Sequence, residues 1–431
     1  MYIRILNEIR EFYRKIVSSI GFWPTAISFL FATLATVLLY IDTDELTTLL
    51  LKHAPGLVLK DGDTARTVLA TSVGGMLSLT VFSFTMVMSQ LGRAATNYSP
   101  RLLPGLISTR RHQIVLGIFL GTITYCLFIL INIEPSDDKY SLPGLAVLVG
   151  IILTLFSLSV FIYFIHSISR AIQVSLILRQ VANKTAQRLE LLAEDEARLD
   201  MDLASPVDCD IPVRANRTGY LCTCDVGSLK KLAVEKEIQI QVTAFQGDFI
   251  LENTVPVKVS EKIDDETTEA ILSCLVLDGD ELIERNYTLG FTQITEVAVR
   301  AMSPGVNDPG TALAAIDHLT HLLSKRMKFD DRQVYENEDG ESIVDIAVIS
   351  FADLLYILMA PLRLYCRHDV VIVLRLLQML DHLHQQKPIL ESHSEAITSE
   401  LQTLKEDALT AITTDRDKDK VRERADRIKM R

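Results

Sequence analysis

The chain has 431 residues, 48% of them hydrophobic yet 23% charged, so its apolar residues must be segregated rather than spread through one soluble core. Lys and Arg number 43 against 55 Asp and Glu, a net charge of −12, which excludes a general nucleic-acid binder with a basic face for displacing counterions. Six scattered cysteines exclude a disulfide scaffold.

In residues 1–22, charges interrupt every apolar run, so no signal-peptide core is formed. Ile5, Leu6, Ile9, Phe12, Tyr13, Ile16, Val17 and Ile20 recur at helical spacing. They predict an amphipathic helix on the inner leaflet with Trp23 at the interface, or one packed on the protein's own soluble half. Residues 23–166 then hold four stretches near the ~20 residues that cross a bilayer: Trp23–Ile41, Thr67–Leu91, Ile114–Ile133 and Leu145–His166. Arg4, Arg10, Arg14 and Lys15 precede the first, and Arg93, Arg101, Arg110 and Arg111 lie between the second and third. Glu134, Asp137 and Asp138 outweigh Lys139 in the next loop, and Arg170, Arg179, Lys184 and Arg188 follow the fourth. Basic loops stay inside, so both termini are expected in the cytoplasm. The first outer loop is mixed, with Lys52, Lys60 and Arg66 set against five acids.

A linking helix is expected over 167–204, continuing the fourth span to about Asp200, with a break at Ala204–Pro206. Residues 205–262 read as a small β-rich subdomain, because Ile238, Ile240 and Val242 alternate with polar neighbours and Gly247-Asp248 makes a turn. Residues 263–414 read as mostly helical, with helices near 265–277, 291–302, 310–327, 352–386 and 393–413. A hairpin over Gln333–Glu336 and Ile343–Ser350 interrupts them, turning at Asp339-Gly340. Residues 415–431 alternate acids and bases, as a solvated helix or charged tail would. The fold class is therefore a polytopic α-helical membrane protein with four transmembrane helices and a C-terminal cytosolic α+β domain.

Several fragments resemble one family. Tyr163-Phe164-Ile165-His166-Ser167-Ile168-Ser169 ends the fourth span, Ser99-Pro100-Arg101-Leu102 follows the second, and Gly219-Tyr220-Leu221 opens the β region. The most specific run is Ala298-Val299-Arg300-Ala301-Met302-Ser303-Pro304-Gly305-Val306-Asn307-Asp308-Pro309. Together they resemble the bacterial predicted membrane proteins of domain-of-unknown-function family 2254, over about positions 20–330. That family often carries two adjacent histidines at the end of the fourth span, whereas here Ser167 follows His166. The resemblance implies an inner-membrane protein and brings no established activity.

Function is therefore argued from constellations. Along the second span, Thr67, Thr71, Gly74, Ser78, Thr85 and Ser89 recur at helical steps, widened by Gly75 and Ser72 and broken by Val81 and Phe82. Such a stripe serves close helix packing, or lines a pore in which Phe82 forms an apolar constriction. With no charge in the stripe, no proton relay is implied. Arg93, Arg101, Arg110, Arg111 and His166 would bind lipid headgroups or ring a cytoplasmic mouth that favours anions. A boundary histidine such as His166 could also sense pH.

Arg300, Ser303, Asn307 and Asp308 could contact a ligand, or catalyse with His318 or His321. The structural alternative is that Asp308 caps a helix opening at Pro309, with Pro304-Gly305 closing the helix before it. Asp317, His318 and His321 lack a third metal ligand, and His382 and His384 beside Asp381 face different sides of a helix. Cys222 and Cys224, with Cys209 upstream, read as a reduced strand. Glu336, Glu338, Asp339 and Glu341 lack the oxygen spacing of a calcium loop and read as a charged hairpin tip. No phosphate-cradling or dinucleotide motif occurs, so no metal and no cofactor is expected. The leading expectation is a homo-oligomeric pore or channel in the lipid bilayer with a cytosolic regulatory domain. A membrane-anchored signalling or scaffold protein, or a membrane-tethered enzyme with a site near Asn307 and Asp308, are the alternatives.

Overall fold

The computed structural model describes residues 19, 21–41, 61–97, 110–133, 144–171, 174–197, 207–278, 283, 286–337, 339–386 and 390–429. The expected amphipathic helix before Trp23 and Arg101 lie outside them. The chain divides into two compact units, Met1–Gln173 and Val174–Arg431.

The first unit contains α1 (Phe22–Ile41), α2 (Gly62–Asn97), α3 (Arg110–Ile131) and α4 (Gly144–Ala171). These are the four described helices long and apolar enough to cross a membrane. Half of the α3 span is buried against 11–22% of the other three, which makes α3 the central helix. Glycine lets α1 approach it. A Cβ on Gly117 would lie 2.7 Å from Ile27 Cδ1 and 3.2 Å from Pro24 Cα, and one on Gly121 would lie 2.8 Å from Phe31. This is small-residue packing, in which a bare backbone replaces the hydrophobic drive that lipid cannot provide.

Polar atoms inside the first unit are satisfied across helices. Thr122 Oγ1 and Ser157 Oγ are 2.9 Å apart between α3 and α4, and Tyr125 donates to the Ala146 carbonyl at 2.8 Å. Leu69, Tyr125, Cys126 and Ile129 form one apolar layer, and Met76, Phe119 and Phe164 belong to another. The α2 helix is longer than its apolar stretch and takes in both Arg66 and Arg93, which the sequence places in loops. Arg66 donates to the carbonyl of Ile133 beyond the end of α3, where the last carbonyls of a helix lack internal donors.

The second unit opens with α5 (Val174–Ala197), followed by β1 (Ile211–Val213), β2 (Gly219–Cys224), α6 (Val226–Lys236), β3 (Ile240–Val242), β4 (Phe249–Ile250) and β5 (Val257–Val259). Then come α7 (Asp265–Ser273), β6 (Leu275–Asp278), α8 (Tyr287–Ala301), α9 (Pro309–Arg326), β7 (Arg332–Glu336) and β8 (Ser342–Ala347). The chain closes with α10 (Phe351–Cys366), α11 (Val370–Gln385), α12 (Glu391–Ala411) and α13 (Asp415–Lys429).

A five-stranded sheet runs β1-β5-β3-β8-β7, antiparallel except for the parallel pair β3–β8, and a three-stranded antiparallel sheet runs β4-β2-β6. One core joins Ile240, Val242, Val257 and Val259 to Ile271 and Leu275 beyond residue 262, and to Val344 and Ile346 of the hairpin. The hairpin turns at Gly340, whose φ of 78° suits glycine.

The helix α6 lies in a stretch that reads as β throughout. Its start is local, since Asp225 accepts from the Ser228 amide and hydroxyl at 3.1 and 2.8 Å. The single helix expected over 352–386 is two, because Asp369 accepts from the amides of Val371 and Ile372 and starts α11 afresh. The charged stretch after residue 415 is a helix that buries Val421, Ala425 and Ile428 at steps of four and three. Arg424 pairs with Asp381 at 3.1 Å. Three apolar residues among charges form too thin a pattern for a window average, yet they line one side of a helix.

Candidate functional site

The inward face of α2 carries Ala65, Leu69, Met76 and Ser83, all buried. Its other face carries Thr67, Thr71, Gly74, Gly75, Ser78, Phe82, Thr85 and Ser89, all exposed. A Cβ added to Gly74, Gly75 or Gly92 would meet nothing within 4 Å. The hydroxyl stripe read from the sequence is thus the side of α2 left exposed among the described residues. Its hydroxyls turn back on the helix: Thr67 donates to the Asp63 carbonyl at 2.7 Å, Ser78 to Gly74 at 3.0 Å and Thr85 to Val81 at 2.9 Å. With their protons bonded in the helix, these residues form a small-residue surface, interrupted by exposed Val81 and Phe82, that tolerates lipid, water or another helix. Phe82 is 54% exposed and leans edge-on against Phe161 of α4, ring centres 6.0 Å apart.

The basic residues sit at helix ends. Arg93 lies in the last turns of α2, Arg110 opens α3, and Arg111 and His166 are exposed. Beside them His112 stacks edge-on against Phe164 at 5.8 Å, which joins the start of α3 to α4.

The Ser303–Pro309 segment is the exposed tip of the α8–α9 pair. Its polar groups serve the local backbone. Ser303 Oγ donates to the Arg300 carbonyl at 2.7 Å, and the amides of Val306 and Asn307 both reach the Ser303 carbonyl at 3.0 Å. The left-handed residue is Asn307 at φ 46°, not Gly305. Asp308 caps α9, accepting from the Thr311 amide at 3.1 Å and hydroxyl at 2.6 Å. The Thr311 hydroxyl and then its amide hold the Asp308 carboxyl below its ordinary range.

The histidines separated in sequence meet in space. His321 of α9 and His382 of α11 line one cavity of about 290 Å³ with Thr320, Ser324 and Gln378, and Asp317 pairs with Arg375 there at 3.0 Å. Among the described residues, no group of three or more His, Cys, Asp or Glu is placed to hold a metal ion. Burial pushes the Cys224 thiol up to about 12, with Cys274 adding to the effect, and the Cys209 thiol up to about 11. Both therefore stay as unreactive thiols.

A buried polar cluster escapes any sequence reading. Arg326, 1% exposed, donates to Tyr287 Oη at 3.2 Å and to the Phe329 carbonyl at 3.3 Å. It also donates to Asp331 and to the Ile349 carbonyl, each at 2.8 Å. His393, fully buried and stacked on Phe351, brings Nε2 to 3.3 Å from the same Asp331 oxygen. That contact has ion-pair distance without hydrogen-bond alignment, since neither His393 nitrogen has an aligned partner. Burial would raise Asp331, but His393 and Arg326 outweigh it and hold the carboxyl low. The only local signal was an arginine ending an apolar helix.

Residues 17–382 match the family described as "Predicted membrane protein (DUF2254)", which is most of the chain. The chain belongs to that family. Among curated proteins it is 27% identical over 332 residues to uncharacterized proteins of Mycobacterium bovis and of Mycobacterium tuberculosis strain H37Rv. It is 26% identical to a third, from M. tuberculosis strain CDC 1551. Each match covers 73% of this chain and 61% of the relative, so the similarity spans about three-fifths of those proteins' own length. No solved structure matches. Membership agrees with the four apolar helices in making this a multi-pass membrane protein.

Proposed function

We propose that the protein is a homo-oligomeric pore of the bacterial inner membrane, with both termini in the cytoplasm and copies of α2 around the axis. The observation that carries this reading is the bare outer face of α2. Among the described residues nothing covers Thr71, Gly74, Gly75, Ser78, Thr85 and Ser89, although small and hydroxyl residues are what membrane helices place at contacts or along water. One chain offers one such stripe, so several copies must share it. Arg93, Arg101, Arg110, Arg111 and His166 would then gather near the cytoplasmic mouth and favour anions, and the second unit would serve as a regulatory vestibule.

The test is the detergent-corrected mass of the solubilised protein together with anion flux in liposomes. A ring of about four or more chains is expected, with flux abolished by Ser78→Trp and the mass retained. A monomer or dimer, or flux indifferent to Ser78→Trp, would overturn the pore and leave the spans as an anchor for the second unit.

A further inference from the structure

The helix α10 is apolar on both sides apart from Arg363, which is buried, pairs with Glu400 and with Asp407 at 3.3 Å, and lies 5.9 Å from the centre of the Tyr356 ring. Its inner side is core: Phe351, Leu355, Met359 and Leu362 are fully buried. On the outer side Tyr356, Ile357, Leu364 and Tyr365 are 59%, 48%, 59% and 46% exposed, with half-buried Ala360 and Pro361 between them. A helix apolar all round is normally enclosed, and a contiguous exposed apolar patch marks an interaction surface.

The charges at the two ends of this face say what covers it. Asp353, exposed in the first turn, completes a capping box with Ser350, whose hydroxyl donates to it at 2.6 Å. Arg367, exposed, is the C-cap. Positions 353, 357, 360, 364 and 367 advance by four and three, the seam spacing of paired helices. In an antiparallel pair of two such faces centred on Ala360, Asp353 meets Arg367 of the second copy and Ile357 meets Leu364 of the second copy. Tyr356 likewise meets Tyr365 of the second copy, and the small Ala360 occupies the crossing. A parallel pair would set like charges together at both ends, which costs energy. A helix lying on lipid would instead carry Lys and Arg along its exposed flank, whereas this one opens on a carboxylate and has its exposed arginine only at the C-cap.

We infer that α10 pairs two copies of the chain, antiparallel, about a two-fold axis at Ala360. This goes beyond the α2 assembly and uses a different face. If both contacts form, the chains around α2 come in pairs and their number is even.

The experiment is oxidative cross-linking of full-length Ala360→Cys in its membrane, with Thr398→Cys, exposed on α12, as the control. Five of the native cysteines are buried and Cys224 is half-buried, so background is small. A covalent dimer is expected from Ala360→Cys in at least about tenfold excess over the control, following the closeness of residues at a two-fold axis. Adding Arg367→Asp should cut that yield several-fold, and adding Asp353→Arg as well should restore it. No dimer at Ala360→Cys, or a yield indifferent to Arg367→Asp, overturns the pairing. So does an Ala360→Cys protein that stays monomeric and whose new thiol is shielded from water-soluble maleimide in liposomes but not in detergent, which assigns the face to lipid. The two readings fail separately: a large oligomer without this cross-link leaves α2 assembly standing, whereas a fully cross-linked dimer removes the ring and keeps the α10 pair.

Discussion

Asp308 is followed by Pro309 and, three residues on, by Thr311, which places a carboxylate where the first amides of α9 lack helix partners. Both of its contacts are to Thr311, so the carboxylate acts on the helix that it starts. Replacing it by Asn, an equally good cap, should leave thermal stability within a few tenths of a kcal/mol, roughly, whereas Asp308→Ala should cost about 1 kcal/mol. The sign with pH follows from the lowered pKa. The stabilisation is present above the ordinary value of 3.8 and is lost as pH falls through the folded-state value. The stability gap between wild type and Asp308→Ala, measured by denaturation, should therefore close in acid. An Asp308→Asn protein of unchanged stability that loses its cellular phenotype would show the tip acting on a ligand instead.

This cap was legible because donor and acceptor lie within four residues. The Arg326 cluster was not, because Tyr287, Asp331, Ile349 and His393 are scattered along the chain and only the fold brings them together. Likewise, the sequence groups His321 with Asp317 and His318, and His382 with Asp381 and His384, whereas only the packing of α9 on α11 sets His321 and His382 on one cavity.

At the level of elements, close approach decides where helices can lie. Thr185 of α5 and Gly290 of α8 meet so tightly that a Cβ on Gly290 would lie 1.8 Å from Thr185 Oγ1 and 3.0 Å from Thr185 Cβ. Rotating the hydroxyl would not relieve the second contact, and that hydroxyl already donates to the Val181 carbonyl at 2.9 Å. Gly290→Ala should therefore destabilise the second unit by roughly 1–3 kcal/mol, the range for overpacking a core. Adding Thr185→Gly should recover part of the loss. Chemical denaturation of the two variants reads both effects, and a neutral Gly290→Ala would mean that α5 and α8 separate at little cost.

The four spans were legible as elements because a bilayer demands long apolar runs. The α1–α3 contact has its own signal in the Gly117-x-x-x-Gly121 spacing of the third span. The split between α10 and α11 was hidden because only Arg367, His368 and Asp369 separate two apolar helices, and of these Asp369 caps the new start. In the second span the stripe was legible while its orientation was not, since which side of a helix is bare depends on the partners that cover the other.

For the whole molecule, the two units draw on different solvents, and the second carries its own core. Its five-stranded sheet cannot close from neighbouring sequence alone. The strand β3 (Ile240–Val242) takes its parallel partner from Val344–Ile346, and Val344 is fully buried in the same core as Ile240 and Val259. A parallel pair needs a long crossover, and here α8 and α9 lie within that connection. Residues 174–431 produced alone should therefore fold, with a cooperative thermal transition in far-UV circular dichroism and resistance to limited proteolysis. Residues 174–330 should not, since they lack β8 and leave one edge of β3 unpaired, with Ile240 and Val242 exposed beside it. They also lack Asp331 and the Ile349 carbonyl, two of the four groups that accept from Arg326, and so lose the charged partner of that arginine. A shorter segment that melts as cooperatively as the longer one would mean that the β region folds as an autonomous layer, with the hairpin added only afterwards.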